Sequence, residues 1–372
     1  MRKAIIVKTA VATGLGKSLD ETWNGLLAGK SAIKTIQHFN TNRIDFHKAS
    51  CIDGLHNNKN ENPIVTLVKD IARQIGPLPE NTYIIWTGIK GNVPFIESGQ
   101  KLDGPYLPVH YRKLVAELLG IKNSGVEVNA ACASSTVGLA VAAQKISSGE
   151  YSNILVIAAD IVSRFVHMGF SALKALTAKE CRPFDQNRDG LFLGDGAVAI
   201  HLTNDHTADQ KGYDKLAKIS GWGIANDANH ITGPARDGCG LILSIEAALK
   251  QAGINANQIQ AFCAHGTGTV FNDGMELTAI ELLFGDRRFP VFSVKGAIGH
   301  TLGAAGGIET AISIKALQDN QIPQTAGLLE PEERASGRVF SEPMDFEGDN
   351  ILTTNSGFGG VNAALILEKM ES

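Results

Sequence analysis

Short apolar runs alternate along the chain with longer stretches whose apolar residues recur at helical spacing. The runs at residues 4–7, 82–86 and 154–158 are rich in β-branched and aromatic side chains, which predicts buried strands. The stretches between such runs are amphipathic, with apolar residues three and four positions apart, which predicts helices. This alternation indicates a layered α/β architecture in which helices cover mixed sheets.

The two halves of the chain resemble each other. Residues 132–151 align with residues 303–322, and the apolar positions that coincide are Val137 with Ile308, Ala140 with Ala311, Val141 with Ile312, and Ile146 with Leu317. These positions have the spacing of the core face of a helix. We therefore predict a duplication, with a first half at residues 1–203, a polar linker at 204–215 and a second half at 216–372.

Composition and charge exclude several classes of protein. The chain has 372 residues, 44% of them hydrophobic, which is enough to bury a large core. Its 34 basic residues are scattered and outnumbered by 38 acidic ones, so we expect no nucleic-acid partner. Neither a signal peptide nor an apolar run of membrane-spanning length is visible, which predicts a cytoplasmic protein without a membrane partner.

The chain has five cysteines, an odd number, and their spacing fits no common metal site. We expect free thiols and no structural metal. Cys132 stands out, because residues 125–129 are strand-like and the small residues after Cys132 begin an Ala-rich helix. The N–H groups and dipole of a helix N-terminus favour a thiolate and can also hold an oxyanion. A packed, unreactive cysteine is the alternative for this residue considered alone.

Two histidines stand among glycines where strand-like segments end. His265 lies in the motif Ala-His-Gly-Thr-Gly-Thr at residues 264–269, and His300 ends the motif Lys-Gly-Ala-Ile-Gly-His at residues 295–300. For a lone histidine, a buried and hydrogen-bonded structural role would be the alternative. A cysteine combined with histidines from distant parts of the chain is typical of thiol catalysis.

Taken together, these motifs resemble those of the β-ketoacyl-acyl carrier protein synthases, the elongating condensing enzymes of the thiolase superfamily that use a Cys-His-His triad. The resemblance runs nearly end to end and includes residues 131–135, 181–190, 194–197, 303–306 and 357–360. It implies the thiolase fold, an α/β fold of duplicated halves with mixed β-sheets layered between α-helices.

The resemblance also implies an activity, the decarboxylative Claisen condensation of fatty-acid or polyketide and polyene biosynthesis. An acyl group from an acyl carrier protein would load onto Cys132, and malonyl-acyl carrier protein would then lose CO2 and attack it. His265 and His300 would stabilise the enolate oxygen. The backbone N–H groups of Cys132 and Phe358 would hold the oxyanion of acyl transfer, and Phe358 would act as a gate.

Four further residues receive roles from the same resemblance. Lys295 and Glu309 would form an ion pair that holds His300 in position. Thr267 and Thr269 would hydrogen-bond the phosphopantetheine arm, which the carrier protein supplies, so no bound cofactor is expected. The carrier protein in its acyl- and malonyl-loaded forms would be one partner, and a second ketosynthase-like chain, identical or not, would complete a dimer.

Departures from the family pattern leave the acyl substrate open. Thr354-Asn355-Ser356 stands where the family has Asn-Ser-Phe, and Asp195 stands where Glu is commoner. One alternative is a non-condensing partner of the chain-length-factor type, but such chains have typically lost the nucleophile. A thiolase is the other alternative, but it needs a second reactive cysteine near the C-terminus, and none follows Cys263.

Overall fold

The computed structural model describes residues 2–42, 45–57, 62–97, 99, 107–122 and 125–370. Its strands are β1 (Ala4–Thr13), β2 (Ile33–Thr35), β3 (Lys48–Ser50), β4 (Tyr83–Trp86), β5 (Val126–Glu127), β6 (Asn153–Asp160), β7 (Gly196–Asn204), β8 (Ala217–Asn226), β9 (Ala261–Cys263), β10 (Val291–Phe292), β11 (Gln321–Ile322), β12 (Met344–Asp345), β13 (Asn350–Gly357) and β14 (Val361–Glu368).

The α-helices connect these strands and cover them. They are α1 (Leu19–Leu27), α2 (Pro63–Ile75), α3 (Val93–Glu97), α4 (Pro108–Leu119), α5 (Ser134–Ser148), α6 (Arg164–Ala172), α7 (Asp205–Lys211), α8 (Cys239–Ala252), α9 (Val270–Phe284), α10 (Lys295–Ile298) and α11 (Ala305–Asp319). The strands predicted at residues 4–7, 82–86 and 154–158 correspond to β1, β4 and β6.

The main sheet has ten strands in the order β10-β9-β13-β14-β8-β1-β7-β6-β4-β5. Each half contributes five strands to this sheet. If these five are numbered 1 to 5 in chain order, their order from the outer edge to the centre of the sheet is 3-2-4-5-1 in both halves. The pairing directions also match, since β4 is parallel to β5 and β6, just as β9 is parallel to β10 and β13. The duplication predicted from sequence is therefore confirmed.

The two halves are joined at the middle of the sheet and through a central helical layer. Strands β1 and β8 pair only over Ala4–Ile6 and Ala217–Ile219. Helices α5 and α11 pack against each other and against strands of both halves. Helices α2 and α4 cover the outer face of the first half, and α8 and α9 cover that of the second. The predicted boundaries between the two halves, at residues 203 and 216, stay a prediction. The segment between them contains helix α7.

The paired helices α5 and α11 differ in which positions they bury. Ile308, Ile312 and Leu317 of α11 are buried as predicted, whereas Val137 and Val141 of α5 are only partly buried. The buried residues of α5 include Gly138, which lies close to side chains of β4 and β6. A Cβ added at Gly138 would lie 2.6 Å from the Thr87 side chain.

Three parallel strands of the second half end at the same edge of the sheet. Strand β9 is followed by His265, β10 by the segment from Lys295 to His300, and β13 by the turn at Phe358. The carboxyl ends of parallel strands gather their following loops in one crevice, so this topology brings distant motifs together. Among the described residues, no helix has the length and apolar character needed to span a bilayer.

Candidate active site

Cys132 lies in a tight turn immediately before helix α5. The preceding residue, Ala131, has a φ of 49°, a left-handed conformation that is uncommon for residues with a Cβ. The Ser134 hydroxyl closes this turn, because it accepts a hydrogen bond from the Ala130 N–H at 2.9 Å and donates one to the Ala131 carbonyl at 2.6 Å. The turn presents the Cys132 side chain to a cavity at the N-terminal end of α5.

The surroundings of the thiol keep it protonated at neutral pH. Burial raises the pKa of Cys132 to about 11, even though Lys295, Lys90 and the Phe358 N–H act in the opposite direction. The side chain is buried, and removal from water disfavours the charged thiolate. The sequence led us to expect a thiolate at this helix terminus, but the desolvation of the sulfur outweighs the favourable charges.

The loop that carries His265 is held by two buried carboxylates of α9. The N–H groups of His265 and Gly266 each donate to the Glu276 carboxylate at 2.7 Å. Asp273 accepts a hydrogen bond from the Thr267 N–H at 2.9 Å. These acids therefore order the loop and do not face the cavity.

His300 is anchored to the segment that leads into β7. Its N–H donates to the Phe192 carbonyl at 2.7 Å, and its carbonyl accepts from the Gly194 N–H at 2.9 Å. Its ring lies 5.3 Å from that of His265, centroid to centroid, with an interplanar angle of 88°. Burial, followed by the charge of Lys295, lowers the pKa of both histidines well below the ordinary value. Both rings are therefore neutral at physiological pH.

Lys295 and Glu309 form a buried ion pair behind the two rings, with side-chain exposures of 1% and 2%. Burial raises the pKa of Glu309, and the neighbouring Lys295 and Asn355 oppose that shift. The Lys295 ammonium also donates to the backbone carbonyl of His265 at 2.5 Å. We expected the pair to hold His300, but its hydrogen bond goes to His265. His300 is linked to Lys295 through the short helix α10.

Six of the eight predicted site residues line one cavity of about 520 Å³, and Lys295 and Glu309 do not. Those that reach its wall are Cys132, Thr267, Thr269, His265, His300 and Phe358. The Phe358 ring stacks on Phe170 with a centroid separation of 5.5 Å, which forms an apolar side of the cavity. The hydroxyls of Thr267 and Thr269 form a polar part of the cavity wall and lie 2.8 Å apart.

Comparison with known proteins agrees with this arrangement. The family description "Beta-ketoacyl synthase, N-terminal domain" matches residues 113–208, and "Beta-ketoacyl synthase, C-terminal domain" matches residues 216–329. The 3-oxoacyl-[acyl-carrier-protein] synthase 2 of Rhizobium meliloti is 30% identical over 421 residues, covering 99% of both chains. That of Coxiella burnetii is 29% identical over 411 residues, with the same coverage.

The chain belongs to the β-ketoacyl synthase family. It is therefore an acyltransferase of the condensing type. Solved ketosynthases share its fold. The structure described as the ishigamide ketosynthase/chain length factor has a TM-score of 0.91 at 25% identity, with 100% of both chains covered. A β-ketoacyl synthase from Burkholderia phymatum has a TM-score of 0.89 at 24% identity, also with 100% of both chains covered.

A complex of a ketosynthase with its carrier protein is also among the similar structures. The type II polyketide synthase acyl-carrier protein with its ketosynthase bound to the hexaketide, AntDE:AntF, has a TM-score of 0.90 at 21% identity. It covers 99% of this chain and 100% of that one. At this level of identity the likeness shows a shared fold.

Two residues of this β-ketoacyl synthase that touch the site were missed from the sequence. Asn355 contacts both His265 and Glu309, although we noted it only as a departure from the family pattern. Asp227 lines the cavity and accepts a hydrogen bond from the Asn362 amide at 2.7 Å. For Asn355, the available signal in the sequence was a polar residue next to the glycine-rich turn at residues 357–360. The sequence contains no such signal for Asp227.

Five free cysteines are found, as predicted.

Three side chains away from the cavity, His38, Cys51 and His56, bring possible metal-ligand atoms within 4.8 Å of one another. The two imidazoles are stacked, with centroids 3.7 Å apart and an interplanar angle of 7°. The in-plane lone pairs of parallel rings do not converge on one ion, so this cluster gives no reason to revise the prediction that the synthase needs no structural metal.

Proposed function

We propose that this chain condenses an acyl group held on Cys132 with a malonyl group delivered by an acyl carrier protein, with loss of CO2. The observation that carries the proposal is the pair of neutral histidines, His265 and His300, on the wall of the cavity that contains the thiol. A neutral imidazole can donate one N–H to a developing negative charge without an obligatory proton transfer. Two such donors suit an enolate.

Acyl loading uses the turn at Cys132. The sulfur attacks the thioester carbonyl of the acyl-pantetheine arm, and the C–S bond to that arm then breaks. The proton of the Cys132 thiol ends on the departing pantetheine sulfur, so the step needs no net base. The N–H of Phe358 faces the sulfur and lowers its pKa, which supports a place for that N–H, together with that of Cys132, in the oxyanion hole.

Condensation then uses the histidines. The bond between the malonyl Cα and its carboxylate breaks, CO2 leaves, and negative charge develops on the thioester oxygen. N–H groups of His265 and His300 aimed at that oxygen stabilise the transition state more than the ground state, which is what accelerates the step. The enolate carbon attacks the acyl carbonyl, and the C–S bond to Cys132 breaks, which releases the Cys132 thiolate. A proton taken up from solvent then restores the thiol, in keeping with its raised pKa.

The threonine side of the cavity suits the arm of the carrier protein. Hydroxyls both donate and accept hydrogen bonds, so Thr267 and Thr269 match the two amides of phosphopantetheine. No other cofactor enters the proposal. The arm is a covalent part of the carrier protein partner and leaves with it.

We also propose a dimer, with a second copy or with another ketosynthase-like subunit, in the cytoplasm. Exposed apolar side chains on α3 and α6 support pairing, since Ile96, Phe165 and Met168 are 50%, 64% and 42% exposed. The acyl product belongs to fatty-acid or polyketide synthesis. By resemblance to the family, residues 103–113 and 162–168 would line the acyl tunnel or the dimer seam, and residues 103–106 lie outside the described residues.

Intact-protein mass spectrometry tests the loading step. The protein is incubated with carrier proteins that bear acyl groups of different length and unsaturation, beside the Cys132→Ala and Cys239→Ala variants. We expect an added acyl mass in the wild type and in Cys239→Ala but not in Cys132→Ala. If the protein is folded and no donor gives an adduct, the proposal is contradicted. That result would favour the alternative that this chain is a non-condensing partner subunit.

A further inference from the structure

Asn355 lies beside His265 because of the register of two parallel strands. Thr353 of β13 is paired with Cys263 of β9. Two residues further along, β13 presents Asn355 and the chain after β9 presents His265. The Asn355 side chain is fully buried, so each of its polar atoms needs a protein partner.

The contacts of the amide fix its orientation. Glu309 can only accept hydrogen bonds as a carboxylate, and its Oε2 lies 2.7 Å from Nδ2 of Asn355. The amide oxygen receives a hydrogen bond from the Thr136 hydroxyl, on helix α5. If the amide were turned over, its oxygen would face the Glu309 oxygen and its NH2 group would face the hydroxyl. Only the first orientation satisfies the carboxylate.

The second N–H of Asn355 determines the protonation pattern of the histidine. Nδ2 lies 3.0 Å from Nδ1 of His265. Because Nδ2 is a donor, Nδ1 must accept and cannot carry a proton. Burial keeps the ring neutral by lowering its pKa, so the single ring proton resides on Nε2.

We propose that Asn355 is a positioning residue that holds His265 in the Nε2–H tautomer, the form that can donate to the enolate oxygen. The inference rests on the proposed function for its catalytic meaning, but its structural content is independent of it. Asn355 connects the helix of the nucleophile, the Lys295–Glu309 pair and the catalytic ring. It does so at a position where the family pattern has serine.

Selective ¹⁵N labelling of histidine tests the tautomer directly in the wild-type protein. Two-bond correlations between ring protons and ring nitrogens distinguish the Nε2–H from the Nδ1–H form, and the signals that vanish in His265→Ala identify the residue. We expect the Nε2–H form. An Nδ1–H form in the wild type would overturn the inference without reliance on any Asn355 variant.

The variant Asn355→Asp tests the consequence for catalysis. A carboxyl oxygen facing Nδ1 favours a proton at that atom, which leaves Nε2 without one. We expect decarboxylation of malonyl-acyl carrier protein to fall roughly 10²-fold, the effect of losing one oxyanion donor, while acyl loading on Cys132 is retained. The matched control is Thr354→Val, one residue away, whose buried hydroxyl has no hydrogen-bond partner among the described residues.

The outcomes separate the inference from the proposed function. Slow decarboxylation in Asn355→Asp with an unchanged His265 tautomer would overturn the inference, and so would an equal loss in Thr354→Val. If Asn355→Asp does not fold, Asn355→Ala is compared with Thr354→Val for the same split between loading and decarboxylation. A wild type that shows the Nε2–H tautomer but no decarboxylation would support the inference and refute the proposed function.

Discussion

At the scale of single residues, the reactivity of Cys132 is a balance between burial and charge. The residue is 5% exposed, and its raised pKa shows that burial dominates. The positive charges of Lys295 and Lys90 and the N–H of Phe358 remain available to stabilise negative charge once it develops. The site therefore favours the transition state over a resting thiolate.

This balance predicts how alkylation of Cys132 depends on pH. The thiolate is the reactive form, and with a pKa of about 11 its fraction rises about tenfold for each pH unit below that value. We expect the rate of iodoacetamide addition to Cys132, followed by peptide mass spectrometry, to rise continuously from pH 7 to pH 9. A plateau below pH 8 would show that the thiolate is already formed and would contradict the account.

The Lys295–Glu309 pair gives a second residue-scale prediction. Removing one partner leaves the other charged and buried, so we expect Lys295→Met and Glu309→Met each to lose about 3–5 kcal/mol of unfolding free energy. The double variant should lose clearly less than the sum, because no unpaired charge remains. Urea denaturation measures all three.

The exposed pair formed by Lys122 and Glu80, whose side chains are 80% and 68% exposed, is the matched control. Solvent screens this pair, so Lys122→Met should leave stability unchanged. Additive losses at Lys295 and Glu309 would mean that the two buried groups do not interact in the way their contact implies.

At the scale of secondary-structure elements, the site depends on how closely α5 and α11 pack. Gly306 of α11 lies against the hydrogen bond between Thr136 and Asn355, and an added Cβ would overlap both side chains. Glycine therefore has a packing role there, although it lowers the intrinsic stability of a helix.

A pair of Gly→Ala substitutions tests this packing. Gly306→Ala should lose about 1–3 kcal/mol through overpacking and should also slow condensation, because Asn355 must shift. In Gly274→Ala, in α9, the added Cβ would lie 3.8 Å from its nearest neighbour, an ordinary van der Waals contact. This variant should be neutral or gain up to about 1 kcal/mol. Equal thermal shifts in the two variants would show that helix propensity, and not contact with Asn355, sets the cost.

The elements were predictable from the sequence where the apolar pattern is strong. Strands β1, β4 and β6 and the helices α5 and α11 follow from it. The partial exposure of Val137 and Val141 in α5 was not predictable, because the contact at Gly138 is made with Thr87, which is distant in sequence. The same limit applies to the site. The Cys132, His265 and His300 motifs indicate their chemistry, but Asn355 acquires its contacts only when β9 and β13 pair.

At the scale of the whole molecule, the halves are one structure and not two independent domains. Their strands share a topology, and helices α5 and α11 are buried between both halves of the sheet. Neither half can bury the apolar face of its central helix without the other. The active site lies at this junction, since Cys132 belongs to the first half and both histidines to the second.

The shared core predicts a single cooperative unfolding transition. In the Trp222→Phe variant the remaining tryptophans, Trp23 and Trp86, report on the first half alone, while far-ultraviolet circular dichroism reports on both halves. We expect the fluorescence and dichroism transitions in urea to coincide. Separate midpoints would show that the halves unfold independently.

The central claim concerns carbon–carbon bond formation, and a single-turnover experiment tests it most directly. Protein already acylated on Cys132 is mixed with malonyl-acyl carrier protein, and both the released CO2 and the carrier-bound product are measured. We predict one CO2 per acyl group and a 3-oxoacyl product two carbons longer, both lost in His265→Ala and in His300→Ala. Acylated protein that releases neither CO2 nor product would contradict the account.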